Sequence, residues 1–187
     1  MNGNQGNLDV SQGASRSETC ILALRKQHLN GHKDKEYAVE TISNYLASDH
    51  RQCDDYFAMA EEFAAKQDWP ATTASFEQFH SAMAHHFGME EQVLFPAFER
   101  ETGNTMGPTR MMRMEHEQMR DLFTHMAAAV AAQDADEYAG LSETLLIMLQ
   151  QHNLKEEQVL YPMSDQTLGV RVPELLQQMK EAPGSAG

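Results

Sequence analysis

The feature that most constrains this chain is an internal repeat. The segment HFGMEEQVLFP at residues 86–96 returns as HNLKEEQVLYP at residues 152–162, with seven of eleven positions identical and an offset of 152 − 86 = 66. The same offset carries His50 onto His116, and around them DHRQCDDYF at 49–57 aligns with EHEQMRDLF at 115–123. Histidine fills 9 of 187 positions, so a chance match at a given position arises about one time in twenty. Two histidine matches and a glutamate-pair match at a single offset therefore describe two copies of one structural unit.

That unit is a helical hairpin. Apolar residues recur at helical spacing, no segment alternates with period two for long, and the breaks fall at regular intervals. The first long helix is expected from about Lys35 to Gln67, ended by Asp68-Trp69-Pro70, with Pro70 in the first turn of the next helix. The second reaches Phe95-Pro96, extending as far as Glu101 at most. After a loop at 102–108 the third runs to about Ala132. Asp134 suits an N-cap, and the fourth helix is expected to stop at Tyr161-Pro162. A last helix fits Pro173 to Lys180. Residues 1–34 read as a flexible segment with room for a short helix over 18–30, residues 35–170 as the bundle and 171–187 as a short C-terminal helix and tail. Four long helices with short connections predict an all-α fold, an antiparallel up-down four-helix bundle.

In an antiparallel hairpin two residues share a height when the turn lies midway between them. The midpoint of His50 and His86 is residue 68, and that of His116 and His152 is residue 134, both in predicted turns. For Glu90 and His116 it is residue 103, in the central loop. All four histidines are thus expected in one layer. His and Glu at i and i+4 face the same way, so His86 with Glu90, and His152 with Glu156, aim an imidazole and a carboxylate into the core. Buried carboxylates need a compensating charge, and two cations would supply it. Imidazole with carboxylate suits iron, manganese or zinc rather than calcium. The two glutamates can bridge the ions, an oxo or hydroxo bridge can join them, and each ion keeps a position for a small molecule. Asp49, Glu115, Gln52 and Gln118 stand beside the histidines as candidate hydrogen-bond partners or as solvated helix-face residues. Glu91 and Glu157, about 100° around the helix from Glu90 and Glu156, are read as surface or rim residues.

At these residues the chain resembles the hemerythrin-like family, also called the HHE cation-binding domain, over roughly residues 38–163. The resemblance implies a non-haem di-iron centre with His50, His86, Glu90, His116, His152 and Glu156 as ligands, and a small diatomic partner, O2 or NO. The stretch GPTRMMRMEH at 107–116 is similar to the third helix of iron–sulfur repair di-iron proteins. Oxygen-carrying hemerythrins have a second histidine one turn from the first on that helix; here those places hold Met112 and Arg120. The four-His, two-Glu set is closer to the repair type than to the oxygen carriers, although the cysteine-bearing N-terminal domain often found in repair proteins has no counterpart beyond a short segment with Cys20. Sensing, storage, detoxification or iron supply are the uses implied. Redox turnover of peroxide or NO, simple metal storage, and a metal-free structural reading are the alternatives.

The net charge of −14 opposes nucleic acid and anionic membrane as partners. The absence of a signal-like N-terminus or an apolar run of membrane length points to a cytoplasmic protein. Cys20 and Cys53 form no zinc-type spacing and read as free thiols. His80 and His85 have Leu146 and Gln151 as repeat partners and are set aside, as are His125, His28 and His32. Glu77-x-x-His80 is a single ferritin-like motif where that fold needs two. Tyr45 is read as core.

Overall fold

The computed structural model describes residues 40–184. The expectations placed on the N-terminal segment, including Cys20, His28, His32 and the start of the first helix near Lys35, lie outside the described residues.

The first long helix, α1, spans Ile42–Ala65. Thr41 caps it by accepting from the Asn44 amide at 3.1 Å. Asp68 caps α2, Trp69–Met89, with Pro70 in its first turn where the missing N–H costs nothing. A π-turn at Glu90–Leu94 carries α2 directly into α3, Phe95–Thr102, which Gly103 ends in the left-handed region at φ 66°. Helix α4, Pro108–Ala132, follows the loop. Asp134 then caps α5, Ala135–Lys155, and a second π-turn at Glu156–Leu160 leads into α6, Tyr161–Leu168. A 3₁₀ turn connects to α7, Val172–Lys180.

The fourth helix therefore does not stop at Tyr161-Pro162, whereas the second runs on past Pro96 to Thr102, one residue beyond the Glu101 that the sequence allowed. In both places the amide after the π-turn bonds five residues back, Phe95 to Glu90 and Tyr161 to Glu156. Pro96 and Pro162 fall in the first turn of the next α segment, where their lack of an N–H ends nothing.

The four long elements form the antiparallel bundle, and no strand occurs among the described residues. Two apolar clusters fill it. One, at the α1/α2 and α4/α5 turns, contains Phe57, Phe79, Phe87, Phe123, Met126 and Leu145. The other, toward α7, contains Ile42, Leu46, Leu94, Phe95, Leu160 and Leu175. Between them lies a thin polar layer. No helix among the described residues is long and apolar enough to cross a membrane.

Candidate metal centre

The polar layer contains all six residues expected from the repeat. His50, His86, Glu90, His116, His152 and Glu156 are each at most 3% exposed. The histidines meet in two pairs: Nε2 of His50 and His86 lie 3.1 Å apart, as do those of His116 and His152. Glu156 spans the pairs, with Oε2 3.3 Å from His50 and Oε1 3.2 Å from His152. Glu90 reaches both with one oxygen, Oε2, at 3.5 Å from His86 and 3.2 Å from His116.

Each imidazole is held from outside by a carboxylate on the neighbouring helix. Asp49 of α1 accepts from Nδ1 of His86 on α2 at 2.8 Å, and Glu91, following α2, accepts from His116 on α4 at 2.8 Å. Glu115 of α4 accepts from His152 on α5 at 2.9 Å, and Glu157, following α5, accepts from His50 on α1 at 2.8 Å. The four contacts close a ring around the bundle.

A carboxylate can only accept, so every Nδ1 carries its proton and every Nε2 lone pair points inward. Two lone pairs facing each other at 3.1 Å repel unless positive charge lies between them. Oε2 of Glu90 and Oε1 of Glu156 are buried without a hydrogen-bond donor. The layer thus calls for cations, as protons on the imidazoles or as metal ions among them. The pKa directions agree. Burial opposes charge on His50, but Glu156 and Glu157 outweigh it and raise its pKa to about 10. His152, likewise opposed by burial, rises to about 9 beside Glu156 and Glu115. Burial would raise Glu156, but His152 and His50 hold its carboxyl well below the usual range. Two sets of donor atoms, each within 4.8 Å of one another, fit a metal ion: Glu90, His116, His152 and Glu156, and His50, His86 and Glu156.

Residues 41–164 match the family profile of the hemerythrin HHE cation-binding domain. The chain belongs to that family. No curated protein and no solved structure matches it.

In this hemerythrin-type layer the surroundings differ from expectation in three ways. Glu91 and Glu157 stand at the rim, 18% and 41% exposed, but each also accepts from an imidazole, that of His116 and His50. Both partners are on other helices, which a one-helix projection does not show. Asp49 and Glu115 hold imidazoles, whereas Gln52 bonds Tyr56 on the surface and Gln118 is exposed. The third difference is Tyr161, first read only as a helix stop. It is fully buried, and its hydroxyl lies 2.7 Å from Glu90 Oε1, 2.9 Å from Glu156 Oε2 and 3.1 Å from His50 Nε2. Burial, then the charges of Glu156 and Glu90, push its pKa well up, so the hydroxyl keeps its proton. The signal was in the repeat: Tyr161 stands where the first copy has Phe95.

Among the described residues, those set aside stay outside the layer. His80 is exposed and stacked on Phe76, His85 is half-buried, and His125 is exposed. Cys53 is a buried free thiol in the apolar cluster with Phe57, and burial pushes its pKa up. Tyr45 packs at the α7 end beneath Lys180.

Proposed function

We propose that the chain is a non-haem di-iron protein that binds O2, NO or a related small molecule, in sensing, detoxification or iron handling such as iron–sulfur repair. His50, His86, Glu90, His116, His152 and Glu156 would hold two iron ions, Glu90 and Glu156 each reaching both histidine pairs. The observation that carries this reading is the set of four inward Nε2 atoms around two buried carboxylate oxygens that lack donors. Imidazole and carboxylate donors in this ratio favour iron over calcium or magnesium. The ions supply the redox chemistry and the open positions; the chain's own residues hold them, fix the imidazole tautomers and keep bulk water out with Phe87 and Phe95. An unpaired buried Cys53 accords with a reducing, cytoplasmic setting.

Metal analysis and optical spectra of protein from an iron-replete culture, before and after NO, test the reading. Close to two irons per chain and new absorption with NO are expected. Less than one iron per chain, with spectra unchanged by air and by NO, would reject it.

One observation favours a redox enzyme acting on peroxide or NO at the same centre. The Tyr161 hydroxyl is a hydrogen-bond donor inside the layer, placed beside Glu90 and Glu156 to steady a bound molecule during turnover. Steady-state assays with these substrates decide it; no turnover with any oxidant removes this second reading and leaves binding.

A further inference from the structure

The repeat makes the two histidine pairs equivalent in their ligands but not in what guards them. On the α2/α4 side, Arg120 pairs with Glu91 at 2.9 Å and its guanidinium lies 5.1 Å over the Phe87 ring. Phe87 itself stacks on His116 at 3.9 Å. The carboxylate that holds His116 is therefore clamped by a cation and is 18% exposed. Subtracting the offset, 120 − 66 = 54, puts Asp54 where the arginine would be on the other side; adding it, 87 + 66 = 153, puts Asn153 where the phenylalanine would be. Glu157, which holds His50, is 41% exposed, and no Lys or Arg among the described residues lies within ion-pair distance of it. A cleft of about 230 Å³ opens there between α1 and α5, lined by Arg51, Asp54, Asn153, Glu157 and the edge of His50.

We propose that divalent metal ions reach and leave the centre through this α1/α5 cleft, with His50 as the ligand that yields, while the His116/His152 position exchanges slowly behind the Arg120 clamp. The inference rests on the metal-centre reading above. Its physical basis is the tether: an imidazole held by an exposed carboxylate, as His50 is by Glu157, swings more easily than one whose carboxylate is itself pinned, as Glu91 is by Arg120.

The test uses the full chain loaded anaerobically with ferrous iron, then mixed with excess ferrous chelator while the coloured complex is followed. Wild type is expected to release iron in a fast and a slow phase of equal amplitude. The double variant D54R/N153F gives the α1/α5 side the residues of the opposite side, and its fast phase slows about tenfold, the scale on which outer carboxylates control metal retention. R120A quickens the slow phase. A single phase in wild type overturns the proposal, as does an unslowed fast phase in a D54R/N153F protein whose thermal unfolding is normal. Should that variant not fold, an unchanged slow phase in R120A overturns it alone. A wild-type protein that takes up no iron fails the metal-centre reading itself, which iron bound and released in one phase does not.

Discussion

The two hairpins, residues 42–102 and 108–168, share a set of buried histidines and a glutamate and differ along the seams that close the layer. On the α2/α4 seam two arginines each pair with a glutamate and lie over a phenylalanine: Arg120 with Glu91 and Phe87, Arg113 with Glu99 and Phe95. Their counterparts at minus 66 are Asp54 and Ala47, and the phenylalanines correspond at plus 66 to Asn153 and Tyr161. Both arginines and both phenylalanines are replaced on the other seam, while Glu91 keeps its counterpart in Glu157. The inner residues meet in one buried layer from both hairpins, and both copies keep them. The outer ones are free to differ if a single side admits what the centre binds.

The largest expected effect falls on the residues the halves share. Glu156 serves both histidine pairs with separate oxygens, whereas Glu90 uses one oxygen for both and gives the other to Tyr161. E156Q should lose most bound iron by metal analysis, and E90Q should keep a larger share. Equal losses would mean that the bridging is symmetric and the difference between the two glutamates immaterial.

A smaller effect is expected one layer out. Removing a carboxylate that orients a metal-binding imidazole typically costs about 10–100-fold in metal affinity. E91Q should lie toward the upper end of that range, because it also leaves Arg120 beside His116 without its anion. E157Q should lie toward the lower end, because an exposed position lets water substitute. Chelator competition titrations measure both, and a larger loss in E157Q would break the comparison.

The buried histidine–glutamate layer was legible in the sequence because its position depends on two quantities that sequence preserves: an offset and a hairpin midpoint. His50 with His86, and His116 with His152, meet where residues 68 and 134 say they should. The outer carboxylates were half legible. Asp49 and Glu115 were candidates by adjacency, but their partners His86 and His152 lie on neighbouring helices, and adjacency cannot choose between them and Gln52 or Gln118. Glu91 and Glu157 are at the rim as expected, but their contacts to His116 and His50 cross to other helices, which a projection of one helix cannot show. Tyr161 is visible only as an exception to the repeat, because identities mark what the copies share and not the hydroxyl by which they differ. The asymmetric seams are hidden in the same way: Arg120 and Asp54 matter because they differ.

Tyr161 offers the next test of that asymmetry. Its single proton faces three acceptors, while Phe95 packs its ring at 5.9 Å from His116. Y161F should keep iron content but shift the optical spectrum and weaken binding of an added small anion such as azide by a few-fold, about 1 kcal/mol for one hydrogen bond. F95Y, the reciprocal change, should weaken the fold by placing a hydroxyl among apolar neighbours. An unaltered Y161F spectrum would show that the hydroxyl does not act on the bound ions.

The smallest effect is at the far end of the seams, where the repeat keeps its plan but changes its charges. Asp165 of α6 receives the Ile42 and Ser43 amides and the Ser43 hydroxyl at the start of α1, at 2.7, 3.2 and 2.5 Å. Its counterpart at minus 66, Glu99 of α3, receives the Thr109 hydroxyl at 2.7 Å in the first turn of α4, and the Arg113 guanidinium besides. Both anions face a helix N-terminus, and losing either should cost about 1 kcal/mol in denaturant unfolding. The pH dependence separates them from neutral packing. Burial would raise the Glu99 carboxyl, but Arg113 and Thr109 outweigh it and hold it below 4.5. A carboxyl whose pKa is lowered on folding contributes stability above its unfolded value and loses it as pH falls through the folded one. The gap between wild type and E99Q should therefore be constant above about pH 5 and close as the solution is acidified below 4.5. A gap that stays constant into acid would assign the cost to shape rather than charge, and α4 would then be held like a packed helix instead of a capped one.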